Sequence, residues 1–137
     1  MDRTTNEMDA MFEELLLIDP DQEILDAFKR FLELHSYLVS TAASGSEATR
    51  QLRLRRPDLI VIEPVLNDDW GERVLEQYRH SAAGVPVIGL SKQRASRIAF
   101  PFCNYLVKPV SLALLLESIQ NALRSSVSIV IELPELN

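Results

Sequence analysis

The chain has 137 residues, 47% of them hydrophobic and 25% charged, with a formal net charge of -6, the size and balance of one ordinary globular domain. That balance excludes disorder through the body of the chain, the acidic charge excludes a basic stripe for nucleic acid, and no apolar run reaches the ~20 residues of a membrane-spanning helix. A single cysteine, Cys103, and two separated histidines, His35 and His80, exclude an internal disulfide and a zinc site.

Residues 1–13 read as a polar, acidic leader without the apolar stretch of a signal peptide, so the expected location is cytoplasmic. Leu15–Ile18 is a short continuous apolar run stopped by Asp19-Pro20-Asp21, the pattern of a strand buried on both faces. Ile24, Leu25, Phe28, Phe31 and Leu32 then recur at helical spacing, with Asp21 as the natural cap. Tyr37–Thr41 reads as a second strand. Ser44 and Glu47 match a capping box opening a helix that buries Ala48 and Leu52 and ends before Pro57. The densest basic run, Arg50 to Arg56, reads as the wet face and C-terminal end of that helix.

Leu59–Ile62 is the next buried strand, stopped by Glu63. After the loop Val65–Gly71, a helix carries Val74, Leu75 and Tyr78 on one face. Gly84 breaks the chain, and Val85–Leu90 forms a strand ending at Ser91. Tyr105–Val107 is the fifth strand, ending at Lys108-Pro109. Ser111 caps a last helix whose stripe is Leu112, Leu115, Leu116, Ile119 and Leu123. Residues 125–137 leave this pattern as an apolar tail or the start of a linker, expected to pair with a sheet edge, to pack on a neighbour or to lead onward. Cys103 is expected to be a small buried apolar residue.

Strands alternating with helices imply an α/β domain over residues 14–124, with a parallel sheet and helices on both faces. Right-handed crossovers and five such units lead to the flavodoxin-like strand order 2-1-3-4-5. In such a sheet ligands bind beyond the carboxyl ends of the strands. Asp19 and Asp21, Glu63, Ser91 and Lys108 fall there, at four different strand ends. Singly, each has a plain reading: cap, turn residue or surface lysine. Together and in order they mark a site.

These residues carry a resemblance. LLLIDPDQEIL, PDLIVIEPVLNDDWG, VPVIGLS and NYLVKP resemble, in order and spacing, the site-bearing segments of response regulator receiver (CheY-like) domains, over roughly residues 14–124. The resemblance implies two-component (phosphorelay) signal transduction, in which an aspartate ending the third strand accepts a phosphoryl group from a histidine kinase. Acidic residues after the first strand hold Mg²⁺, a Ser/Thr and a lysine contact the phosphoryl oxygens, and an aromatic residue changes rotamer. Carried over, Asp19 matches the first acidic position, Ser91 the hydroxyl, Lys108 the lysine and Tyr105 the aromatic switch.

Two positions depart from that pattern. Pro20 stands at the second acidic position and Glu63 at the phosphoacceptor position. Proline brings no carboxylate, and the extra methylene of Glu63 moves its charge outward by about 1.5 Å. Asp21, one residue further on, is a weak metal candidate already useful as a cap. Mg²⁺ is therefore not expected and no cofactor is implied. The longer acid is expected to reach Lys108, with or without Ser91, imitating part of a phosphoryl group's contacts. Asn67 stands where the family often has proline. Trp70 beside it is expected to pack over the loop, with a partner anchor as the other reading. The stretch from Ser91 to Lys108 is shorter than usual by more than a helical turn and contains Pro101, so the fourth helix is expected to be short, distorted or absent. Phe100 and Phe102 are expected to pack on the core.

The expected function is an atypical, pseudo-receiver domain acting by protein–protein interaction, not as an enzyme. Its expected partner is a signalling protein, such as a histidine kinase or an output domain, with no nucleic acid and no membrane, and the oligomeric state is left open. A working phosphoaccepting receiver, with Asp68 or Asp69 as further acids, is the second reading. A small flavodoxin-like enzyme is the third. Four glycines, none in a phosphate-cradling loop, weigh against the last.

Overall fold

The computed structural model describes residues 12–64, 70–93 and 100–132, with side chains described for 12–64, 73–93 and 100–125. The elements run β1 (Glu14–Ile18), α1 (Gln22–Glu33), β2 (Leu38–Ala42), α2 (Gly45–Leu54), β3 (Leu59–Ile62), α3 (Trp70–Ser81), β4 (Val87–Ser91), β5 (Asn104–Val107) and α4 (Leu112–Glu132). All strand pairings are parallel and the order is β2-β1-β3-β4-β5, as the alternation of elements requires. Among the described residues no helix is long and apolar enough to cross a membrane.

Alternate residues of the buried strands feed two cores. On one face Leu15, Leu17, Val61, Ile88 and Leu90 meet Leu25 and Leu32 of α1 and Leu115, Ile119 and Leu123 of α4. On the other, Leu16, Ile18, Ile60, Ile62 and Val87 meet Ala48 and Leu52 of α2 and Val74 of α3. A strand covered on both faces has no reason to alternate, which is why β1 and β3 read as solid apolar runs.

The helix starts follow the expected chemistry. The Asp21 carboxylate accepts the N–H groups of Glu23 at 3.0 Å and Ile24 at 3.4 Å. The Ser44 hydroxyl accepts the Glu47 N–H at 3.2 Å, one half of the capping box. The Ser111 hydroxyl accepts the Leu114 N–H at 3.0 Å. Gly84, with φ of 94°, makes the turn into β4 in a conformation that side-chain-bearing residues rarely adopt.

No helix lies between β4 and β5 among the described residues, in keeping with a fourth helix that is short or absent; residues 94–99 of that segment lie outside them. Phe100 and Phe102 pack on the second core beside Tyr78, as expected. Two expectations change. The apolar tail does not leave the helix: α4 continues to Glu132. Its β-branched residues cost only tenths of a kcal/mol each in helix propensity, and a helix already nucleated on buried Leu115 and Ile119 gains a hydrogen bond with each added residue. Residues 133–137 lie outside the described residues. Finally, Cys103 is exposed rather than buried. It precedes β5, the edge strand, where only one side of the ladder is covered.

Candidate functional site

The strands end together at one rim, and the sheet's pleat decides which side chains meet there. Asp19, Glu63 and Lys108 each follow a strand residue that points away from the α1/α4 face, so all three turn toward that face. The backbone fixes them from the sheet itself: Asp19 N–H bonds Ala42 O at 3.1 Å, Glu63 N–H bonds Ile18 O at 2.8 Å, and Lys108 N–H bonds Ser91 O at 2.9 Å.

At the centre stands the Lys108 ammonium. Its Nζ donates to Asp19 Oδ2 at 2.7 Å and to Glu63 Oε1 at 3.2 Å. The three side chains are 10%, 6% and 9% exposed. Among the described residues, two acids and one ammonium thus meet in a largely buried space. At an effective dielectric of 20, contacts of this length carry gross Coulomb energies of about 5–6 kcal/mol each, most of it offset by desolvation. Burial alone draws the Lys108 pKa down. The hydrogen bonds and charges of Asp19 and Glu63 outweigh that and hold it above its usual 10.5.

The remaining positions are arranged differently. Asp21 does not join the ammonium. Its carboxylate caps α1, and its N–H donates to Asp19 Oδ1 at 2.8 Å, so it orients the buried acid through the backbone. Ser91 is buried, and its hydroxyl accepts the Gln93 N–H at 3.1 Å. Tyr105 packs on Phe102 of the second core, with its hydroxyl donating to Gln93 O at 2.9 Å. The sequence therefore brought Glu63 and Lys108 together correctly, while Ser91 stands apart from their contact. Trp70's side chain, Asn67, Asp68 and Asp69 lie outside the described residues.

Two features escaped the sequence reading. One is the Asp19–Lys108 contact, shorter than that to Glu63. The other is Gly89, whose missing side chain makes room for the Tyr105 ring. A glycine inside an otherwise apolar strand is the available signal for a close approach. Beside Lys108, a groove of about 490 Å³ is lined by Ile24, Phe28, Lys92, Pro109 and Val110.

Comparison with known proteins bears on the same span. The model of the response regulator receiver domain family matches residues 15–120. The transcriptional regulatory protein PrrA of Mycobacterium leprae is 36% identical over 118 residues, which cover 80% of this chain and 49% of PrrA. The response regulator MprA of Mycobacterium ulcerans is 27% identical over 115 residues, 80% of this chain and 50% of MprA. This chain thus spans about half the length of the curated relatives it matches. Among solved structures, a CheY-like response regulator receiver domain protein from Methanospirillum hungatei superposes with a TM-score of 0.77 at 25% identity, covering 85% of this chain and 98% of the other.

Proposed function

This chain belongs to the response regulator receiver domain family of two-component signalling, and on that premise we propose that it is an atypical receiver acting through protein–protein contact, with Glu63 at the phosphoacceptor position. The observation that carries this reading is the single ammonium of Lys108 held by both Asp19 and Glu63. In it, the Glu63 carboxylate takes up part of the contact a phosphoryl group would make with the lysine, so the pocket is closed by its own side chains. The partner is a signalling protein, a histidine kinase or an output domain, and the setting is cytoplasmic.

The fit of Mg²⁺, which the family implies, bears on the same point. That ion takes near-octahedral oxygen ligands at about 2.0–2.1 Å. Here one Asp19 oxygen accepts the Asp21 N–H and the other accepts from Lys108. Asp21 is turned to the helix cap, and Pro20 has no side-chain ligand to offer. These residues do not fit that ion. Phosphoryl transfer depends on in-line placement and on cations neutralising the moving charge, and an acid already engaged with an ammonium is a poor acceptor.

The competing reading is an ordinary phosphoaccepting receiver. Incubation with Mg²⁺ and acetyl phosphate, followed by intact mass, separates the two. The expected result is no acid-labile gain of one phosphoryl group. An adduct mapped to Glu63 overturns the proposal and makes the chain a working phosphoacceptor.

A further inference from the structure

The second face of the sheet carries an arrangement that the pocket chemistry does not account for. Gly89 is paired in register with Tyr105 on one side and with Ile62 on the other. A Cβ placed on Gly89 would stand 2.5 Å from Tyr105 Cδ2 and 2.8 Å from Cε2, closer than real Cβ atoms come. The tyrosine ring therefore occupies the volume of the absent side chain. Packing an aromatic ring over a cross-strand glycine is a recognised way of covering exposed strand backbone.

The ring is held from its other sides as well. Tyr105 meets Phe102 edge-on with centroids 5.4 Å apart, Phe102 meets Phe100 at 4.8 Å, and Phe100 meets Tyr78 at 5.5 Å. Such tilted pairs add to simple area burial. At the far end the Tyr78 hydroxyl donates to Val85 O at 2.6 Å, anchoring the row to the chain leading into β4. At the near end the Tyr105 hydroxyl donates to Gln93 O, while Gln93 N–H donates to the Ser91 hydroxyl. Ser91 and Tyr105 are thus tied to the same turn residue, one through its N–H and the other through its carbonyl.

We propose that Gly89 is a positioning residue: by lacking a Cβ it seats Tyr105 against β4 and thereby holds Gln93 and Ser91 in one arrangement. This goes beyond the reading of the pocket, using only the assignment of the chain to the receiver family. The lock is made by shape, since no other residue leaves room for the ring at that register position.

The test uses the full chain labelled with 3-fluorotyrosine, with the Tyr105 resonance assigned by loss in Tyr105→Phe. Gly89→Ala is expected to shift that resonance and lower the melting temperature in the parent background. In a Tyr105→Ala background the same Gly89→Ala change is expected to cost little or nothing, because the ring it collides with is gone. Equal losses in both backgrounds, or an unmoved Tyr105 resonance in Gly89→Ala, overturn the proposal. If Gly89→Ala alone fails to fold, a folded Gly89→Ala/Tyr105→Ala double variant supports it and an unfolded one overturns it. A phosphoryl adduct on Glu63 overturns only the atypical reading of the pocket and leaves this one standing.

Discussion

Replacing Lys108 with methionine removes the cation that, among the described residues, is bonded to both of two nearly buried acids. Methionine fills similar volume, so the change is chiefly electrostatic. The Asp19 and Glu63 side chains are 6% and 9% exposed, so both carboxylates are largely withdrawn from water. Breaking a buried pair by deleting one partner typically costs about 3–5 kcal/mol, because the other charge is left uncompensated. Here two charges are left, so the upper part of that range is expected. For a chain between the small and large classes of single domains, this corresponds to a loss of roughly 10–20 °C in melting temperature. Urea denaturation followed by far-UV circular dichroism gives the value directly, with an unchanged slope showing that the unfolded state is not what moved. Adding Glu63→Gln to Lys108→Met removes one of the stranded charges and is expected to recover a coupling of about 0.5–3 kcal/mol. If Lys108→Met lies within about 0.5 kcal/mol of the parent, as neutral surface substitutions do, the ammonium does not neutralise the acids and the reasoning fails.

The same cluster has a pH signature. Lys108 has a folded-state pKa raised above its usual 10.5, so its contribution to stability is fully present below that value and is lost as pH rises through the folded pKa. Urea midpoints in alkaline buffers should therefore fall for the parent beyond pH 10.5, with no such extra fall in Lys108→Met. Asp21→Ala should cost about 1 kcal/mol, the worth of a lost N-cap, while leaving the alkaline limb intact; loss of that limb would show that Asp21 belongs to the ion-pair cluster rather than to the helix end.

The fold was legible because its signals are local and redundant. Four-residue apolar runs such as Leu59–Ile62 have one stable home, the interior of a parallel sheet. Caps such as Asp21 and Ser111 announce the helices that pack on it. The site was legible to the extent that strand ends place residues: Asp19, Glu63 and Lys108 were gathered by topology alone. What the sequence did not show is which way each residue faces beyond its strand. Ser91 follows Leu90 at the end of β4, and its hydroxyl accepts the Gln93 N–H. The length of α4 was misread for a different reason. Residues 126–132 have β-rich local preference, and the helix that precedes them, anchored on Leu115 and Ile119, overrides it. Cys103 was misread because cysteine is buried on average, whereas this one precedes an edge strand.

The two groups of side chains that a receiver uses therefore lie on opposite faces of one sheet in this chain. The charged cluster of Asp19, Glu63 and Lys108 belongs to the α1/α4 side, and the aromatic row ending in Tyr105 belongs to the α2/α3 side. For the state of the cluster to reach the aromatic row, something must cross between them, and Ser91 at the end of β4 is the side chain placed to do so. Its hydroxyl is engaged with Gln93, and Gln93 is engaged with Tyr105, which sits in the gap left by Gly89. Turning Tyr105 would require giving up its hydrogen bond and its contact with Phe102, and would leave the Gly89 backbone uncovered.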